Sequence, residues 1–407
     1  MTNSVRAEGP ALEPNTSRDS SPRPRRADLR QLARTIAVFH AKAPSGPQID
    51  ASGRGGALRE RWMNNFAGLR ELSPRRVSTE DLRDVEMLAL DYVAGCGALL
   101  ESRVDAGMIR DGHGDLLTDD IFCLSDGPRV LDCLDFDDRL RFMDVLDDVC
   151  CLAMDIERLG RPDIASQFLH WYQEFSGAVV PESLKHHYIA YRAVMRAKVT
   201  ALREVADDSD EAANEVATLF AVASEHLRAA RRLLVIVWGV PASGKTTMAI
   251  ALGNRLAVPV LSSDRVRKET AGVSPDANAS APFRQGIYTP GMTDRTYSLL
   301  TSRAATLLGV GTFVIIDASF TTDSQRAPFR EVAAAARAEL VEVQCVAEPH
   351  VLRERLIGRG AHADRYTDAD AHVAEQLTSA TDAWPQAHTV DTSTTVEASL
   401  DAAGLDW

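Results

Sequence analysis

No stretch of this 407-residue chain is apolar for long enough to cross a bilayer, and the N-terminus lacks the apolar core of a signal peptide. Membrane attachment and export are therefore not expected, and the cytoplasm is the expected location. Basic residues are in short supply: 45 Lys and Arg face 58 Asp and Glu, a formal net charge of −13. General nucleic-acid and membrane-surface binders need a basic face, so this balance disfavours both and leaves room only for a local basic groove. Cysteine is sparse as well. Cys96, Cys123, Cys133, Cys150, Cys151 and Cys345 are scattered through mostly apolar context. They have neither the spacing of a zinc site nor that of a disulfide framework, so we read them as reduced core thiols. No internal repeat is found in either half.

What the chain does have is length and a change of texture. At 407 residues it can fill two domains, each with its own core. Residues 1–27 are rich in Pro, Ser, Asn and Arg and carry no apolar period, so burial cannot offset their ordering entropy and a disordered tail is expected. Its Arg23, Arg25 and Arg26 read as solvated, or as a contact for an acidic partner. Residues 28–230 read as mostly helical. A helix is expected over Leu29–Ala41, and a long one from the capping signal Ser78-Thr79-Glu80-Asp81 to about Ala106. One hairpin is expected, with strands Ile121–Leu124 and Val130–Leu134 around Asp126-Gly127, before helical patterns resume from Met143 to Arg231.

From 231 to 407 apolar strands alternate with helices, the pattern of a parallel sheet with crossover helices. Strands are expected at Leu233–Trp238, Val258–Ser262, Thr312–Ile316, Leu340–Val346 and His388–Asp391. Helices are expected at Lys245–Ala257, Asp294–Leu308, Ser324–Ala338 and Pro349–Arg359. The fold class is thus α/β: a P-loop NTPase domain with a five-stranded parallel sheet, preceded by a mostly helical domain.

The strongest motif closes the first of these strands. Gly239-Val240-Pro241-Ala242-Ser243-Gly244-Lys245-Thr246, continued by Thr247, has the strand, glycine loop and helix order of a Walker A phosphate cradle. Its glycines let backbone N–H groups wrap around phosphate oxygens, and the following helix aims the positive end of its dipole at them. Lys245 would reach the terminal phosphates of ATP, and Thr246 would hold Mg²⁺. The bland alternative is a tight turn that contains Gly-Lys.

Three further features point the same way. Val314-Ile315-Ile316-Asp317 is a buried-strand run ending in a carboxylate suited to supporting Mg²⁺. Asp264, in Ser262-Ser263-Asp264-Arg265-Val266-Arg267, falls at the carboxyl end of the second strand, where ligands collect in open α/β sheets. It could accept a proton from an attacking hydroxyl, with Ser263 as cap and Arg267 on the same helix face holding substrate or phosphate; alternatively Asp264 is itself the helix cap. Arg355 and Arg359 lie four apart before Gly360–Asp364, either as a lid over the phosphates or as an arginine-rich surface helix. Tyr288, Arg295 and Tyr297 fall between the second and third strands, where the acceptor would be covered.

On the Walker A, the Asp264 motif and the arginine helix, residues 232–395 resemble the P-loop kinases of the polynucleotide kinase, gluconate kinase and zeta toxin type. The resemblance implies transfer of the γ-phosphoryl of ATP to a hydroxyl, with Asp264 as base.

In the first half, Asp111-Gly112-His113-Gly114-Asp115 with Asp119-Asp120, followed by Val130-Leu131-Asp132-Cys133-Leu134-Asp135-Phe136, resembles the catalytic and metal motifs of aminoglycoside phosphotransferases. That likeness implies a protein kinase-like C-lobe with Asp115 as base and Asp135 as magnesium ligand. Position 120, normally Asn, is Asp here. The family's N-terminal β-lobe carries the lysine that grips nucleotide, and only the expected tail precedes Leu29, so this half is expected to be catalytically dead and kept as a scaffold, acceptor-binding or regulatory domain. The plainest alternative is a solvated acidic hairpin. The whole arrangement resembles bacterial two-domain proteins that fuse the two modules.

The expected function is an ATP- and Mg²⁺-dependent phosphotransferase acting on a small hydroxylated acceptor. The rivals are a nucleotide switch regulating the fused domain, an active kinase in the first half, and, least favoured by the charge, a polynucleotide 5′-hydroxyl kinase.

Overall fold

The computed structural model describes residues 26–274, 286–361, 381–382 and 384–404, with only the backbone given for 357–361. It divides into two compact units, residues 1–231 and 232–407. Most of the tail expected at 1–27 lies outside the described residues; Arg26 and Ala27 already belong to a helix.

The first unit is helical. Its elements are α1 (Arg26–Lys42), α2 (Pro47–Asp50), α3 (Gly55–Leu72), α4 (Thr79–Gly95), α5 (Gly97–Asp105), β1 (Ile109–Asp111), β2 (Ile121–Leu124), β3 (Gly127–Val130), β4 (Phe142–Asp144), α6 (Val145–Arg158), α7 (Pro162–Ser176), α8 (Glu182–Asp207) and α9 (Asp210–Ala229). Ser78 caps α4 as the sequence leads one to expect, accepting from Asp81 N at 3.0 Å. The expected long helix nonetheless stops at Gly95: Cys96 leaves helical geometry between two glycines, and α5 starts anew. The hairpin's second strand runs from Gly127 to Val130 rather than from Val130 to Leu134, because Ile121 pairs with Val130 and Leu124 with Gly127. A second small sheet, β1 with β4, is a feature the reading lacked, as is α3. One core formed by α1, α3, α4 and α6–α9 gathers Trp62, Phe66, Phe168, Leu184 and Val216, all fully buried.

The second unit is a five-stranded, all-parallel sheet. It contains β5 (Leu233–Trp238), α10 (Lys245–Leu256), β6 (Val260–Ser262), α11 (Ser263–Thr270), α12 (Pro290–Gly309), β7 (Val314–Ala318), α13 (Asp323–Ala335), β8 (Glu339–Val346), α14 (Pro349–Ala361), β9 (His388–Asp391) and α15 (Val396–Ala402). Strand order is β6-β7-β5-β8-β9. β5 and β7 are buried along their whole length, which is why they read as continuous Val/Ile/Leu runs. Leu234, Ile236 and Trp238 pack with Leu300, Ala304 and Phe329 on one face; Leu233, Val235 and Val237 pack with Met248, Leu252 and Val343 on the other. Among the described residues no helix is long and apolar enough to cross a membrane.

Candidate functional site

The loop between β5 and α10 turns where glycine permits: Gly239 has φ 156° and Gly244 φ 82°, while Ala242, at φ 67°, is a left-handed non-glycine. Left-handed geometry costs an L-residue about 1–2 kcal/mol and persists only where the surroundings hold it. A Cβ on Gly239 would lie 2.5 Å from the Cys345 carbonyl oxygen, so that glycine is sterically required. A loop with left-handed Ala242 and Gly244 feeding the N-terminus of α10 is built as an anion cradle. Within it Ser243 is fully buried, and its Oγ has no hydrogen-bond partner among the described residues.

Sheet register brings two carboxylates to this loop. β5 pairs with β7 so that Val237 faces Asp317, and β6 with β7 so that Ser262 faces Asp317. Thr246 Oγ1 donates to Asp317 Oδ2 at 2.9 Å, while Asp317 Oδ1 is buried without a hydrogen-bond partner among the described residues. Burial pushes the Asp317 carboxyl above its usual range; Lys245 and the Thr246 and Ser262 hydroxyls oppose this, and the charge of Asp264 adds to it. Asp264 is the second residue of α11. The cap position is held by Ser262, so neither Ser263 nor Asp264 is the helix cap, and that alternative for Asp264 falls away.

One turn along α11, Arg267 is only 7% exposed. Its Nη1 donates to Thr293 Oγ1 at 3.0 Å, and its guanidinium stands 4.9 Å from the Tyr288 ring centroid. Arg267 Nε is buried with no partner, and no carboxylate of the described residues pairs with this cation. Tyr297 is buried beside it and accepts from Phe320 N at 3.0 Å. Burial pushes the Tyr297 hydroxyl up to about 12, opposed by the Phe320 hydrogen bond and Arg267 and reinforced by Asp264 and Asp317, so these groups share one neighbourhood. Arg295 is exposed.

Arg355 reaches the loop through a carbonyl: Nη1 donates to Ala242 O at 3.2 Å, and Nη2 to Thr392 O at 2.6 Å. Arg359 lies further along α14, and its side chain is outside the described residues. At the base of the loop Trp238 stacks on Trp384 with ring centroids 4.6 Å apart.

In the helical unit a single buried carboxylate holds the backbone of the His113-Gly114-Asp115 run. Asp148 accepts from His113 N at 2.7 Å and Gly114 N at 2.9 Å, and His40 Nε2 lies 2.9 Å away. Burial alone would raise the Asp148 carboxyl; His40, Arg192 and the His113 N–H hold it down at about 2. Arg192 in turn bonds Asp147 and the Gly114 carbonyl. Asp147 and Asp148 fall in a run that resembles the aminoglycoside phosphotransferases' helix after the metal loop, but their partners His40 and Arg192 leave no local pattern, because the scaffold joins α1, α6 and α8 across long separations.

Asp115 is paired at 3.8 Å with Arg196. Asp120 is raised to about 6 by burial and by the charges of Asp132 and Asp115, with His113 opposing. Asp132 and Asp135 are both exposed; the charge of Asp132 acts on Asp120, and that of Asp135 acts on Cys133. The signal missed is local: Asp132 has φ 59°, a bend that ends the run after β3 and turns its carboxylate-bearing segment. Among the described residues no three His, Cys, Asp or Glu side chains are arranged to hold a metal ion.

The family described as AAA domain matches residues 234–383. Among solved structures, a putative kinase from Chloroflexus aurantiacus is 24% identical, covering 42% of this chain and 95% of that one with a TM-score of 0.34. The Mycobacterium tuberculosis APS kinase CysC in complex with AMPPNP and APS is 17% identical, covering 43% and 94% with a TM-score of 0.31. Over the whole chain, the Mycobacterium tuberculosis uncharacterized protein Rv2004c and the Mycobacterium bovis uncharacterized protein Mb2027c are each 36% identical over 379 residues, 93% of this chain and 75% of theirs. A phosphate-loop unit behind a helical unit, matched along nearly its whole length, makes this chain a member of the Rv2004c family.

Proposed function

We propose that the second unit is an ATP-dependent phosphotransferase that moves the γ-phosphoryl group to a hydroxyl of a small acceptor. The observation that carries this reading is the convergence of Lys245, Thr246, Asp317 and Asp264 at one edge of a parallel sheet. The backbone of residues 239–247 cradles the phosphates and Lys245 neutralises their terminal charge.

Mg²⁺ in phosphoryl-transfer sites is held by one or two protein groups together with the phosphates rather than by a protein cage. The Thr246 hydroxyl and the buried Asp317 Oδ1, which has no hydrogen-bond partner among the described residues, fit that demand. When bound, the ion would neutralise charge on the transferred group. Asp264 accepts the proton of the acceptor hydroxyl as its oxygen attacks the γ-phosphorus, and the bridging oxygen leaves with ADP. Arg267, a buried cation with no carboxylate partner among the described residues, suits an acceptor that carries a negative group beside its hydroxyl, since a buried charge requires a counter-charge. Arg355, bonded to the loop carbonyl of Ala242, belongs to the phosphate side.

For the first unit we infer an aminoglycoside phosphotransferase-like domain without transfer activity of its own, serving as scaffold or regulator. The Asp148 anchor beneath the His113-Gly114 backbone supports the likeness, and the engagement of Asp115 by Arg196 supports the inactivity.

The test is ATP turnover with Mg²⁺ against sugars, sugar acids, nucleosides and aminoglycosides, in wild type, Lys245→Ala, Asp264→Asn and Asp115→Asn. Acceptor-stimulated turnover lost in the first two variants and kept in the third is the expected result. Turnover that no acceptor stimulates and Asp264→Asn leaves intact would mean a nucleotide switch, and loss only in Asp115→Asn would put the reaction in the first unit.

A further inference from the structure

Beyond the residues of the phosphate loop itself, one side chain from the far end of the sheet is fastened to it. Thr392 follows β9 directly and is 6% exposed. Its Oγ1 donates to Ser243 O at 2.6 Å; the other acceptor within reach, Val346 O at 3.0 Å, already takes the Thr392 backbone N–H at 2.8 Å. Arg355 completes the tie, bridging Thr392 O and Ala242 O, with Nη1 also 3.4 Å from Thr392 Oγ1. Two consecutive loop carbonyls, those of Ala242 and Ser243, are therefore held by Arg355 of α14 and by Thr392, the residue after β9.

A trans peptide points its C=O and the next N–H in opposite directions. Fastening Ser243 C=O to Thr392 therefore turns Gly244 N–H to the opposite side, and fastening Ala242 C=O to Arg355 fixes the Ser243 peptide, whose N–H closes a turn onto Val240 O at 3.1 Å. Ala242 needs such holding, because its φ of 67° is unfavourable for alanine. Nor can the tie be crowded: a Cβ on Gly244 would lie 2.9 Å from Thr392 Oγ1 and 3.3 Å from Arg355 Nη1. Left without a partner, the buried Ser243 carbonyl would be free to rotate its peptide toward solvent or ligand.

We propose that Thr392 is a positioning residue for phosphate binding, assisted by Arg355, which presets the Gly244 N–H toward the phosphates before nucleotide arrives. This rests on the reading of the loop as an ATP cradle. Thr392 touches no phosphate itself; it acts through the Ser243–Gly244 peptide.

The test uses the full chain with ¹⁵N-glycine labelling, and compares wild type with Thr392→Val, which keeps the shape and loses the hydroxyl, and Thr392→Ser, which keeps the hydroxyl. Affinities for Mg²⁺-ATP and for tripolyphosphate are both expected to fall about tenfold in Thr392→Val, the worth of roughly one hydrogen bond to a charged group, and to recover in Thr392→Ser. The Gly244 amide resonance should shift downfield on adding ATP in wild type and Thr392→Ser, and move less in Thr392→Val. Equal ATP affinity in wild type and Thr392→Val overturns the proposal, as does an unaltered Gly244 shift in a weakened Thr392→Val, which would mean a general structural role. Wild type that binds ATP no better than Lys245→Ala overturns the cradle reading, and the tie with it, and so is distinguishable from a failure of the tie alone.

Discussion

Two acids in this chain, Asp115 and Asp264, differ in what surrounds them. Around Asp115 the backbone support is complete: Asp148 takes two N–H groups, and Arg192 takes a carbonyl. The acid itself is engaged by Arg196, and its neighbour Asp120 sits among like charges that favour protonation. Around Asp264 the sheet register brings in Lys245, Thr246 and Asp317, while Arg267 is buried with no acid to pair it among the described residues. Support of a loop and readiness of its chemistry are thus separable. The first unit keeps the support around a paired acid, and the second holds a buried cation that no acid pairs among the described residues.

The comparison breaks most directly at the two acids. Asp264→Asn is expected to lower acceptor-stimulated turnover by about a thousandfold with ATP affinity almost unchanged, as removal of a general base does, whereas Asp115→Asn leaves turnover as it was. Steady-state kinetics with separate titration of ATP decides between them. Next in size, Asp148→Asn should destabilise the first unit by about 3 kcal/mol, since it strips charge from a buried acceptor that serves two amides and His40. Urea unfolding monitored unit by unit, with the second unit's midpoint unmoved, is the check.

Arg267→Met sharpens the contrast from the other side. The acceptor KM should rise by about tenfold or more, while the folded unit without ligand loses little, because no ion pair among the described residues is broken. An acceptor KM that does not move would remove Arg267 from the acceptor side. The smallest effect is expected from Asp120→Asn. Asp120 titrates near 6 when folded, above the ordinary aspartate value of 3.8. The folded form therefore holds its proton more tightly, and stability falls as pH rises through that window. The variant should match wild type near pH 4 and become the more stable of the two above pH 6, measured by thermal unfolding across pH.

Much of the second unit was legible because a parallel sheet writes itself plainly. β5 is apolar throughout since both faces are covered, and its strand ends at the glycine that must turn. β9 is only four residues long, yet its bounds, His388–Asp391, also read correctly. Thr392 was not legible, because a hydroxyl tied to a carbonyl 149 positions away leaves no local pattern. In the first unit, periodicity carried the expected helix straight through Cys96, since apolar spacing does not register that Gly95 and Gly97 weaken the helix there. The hairpin slipped for a related reason: alternation at Leu131–Leu134 resembles a strand, and the left-handed Asp132 that ends it is a backbone property. Asp135 was named through likeness alone, and the charge of Asp132 on Asp120 leaves no local pattern in the sequence.

The stack of Trp238 on Trp384 has a practical side. Trp238 is the last residue before Gly239, so its backbone joins the first residue of the loop directly, and its indole lies against Trp384 at that junction. Stacked indoles are sensitive to small changes in separation and tilt. The protein therefore contains an intrinsic optical gauge at the root of its phosphate loop: tryptophan emission, compared with that of Trp384→Phe, would report occupancy of the loop in real time without a label.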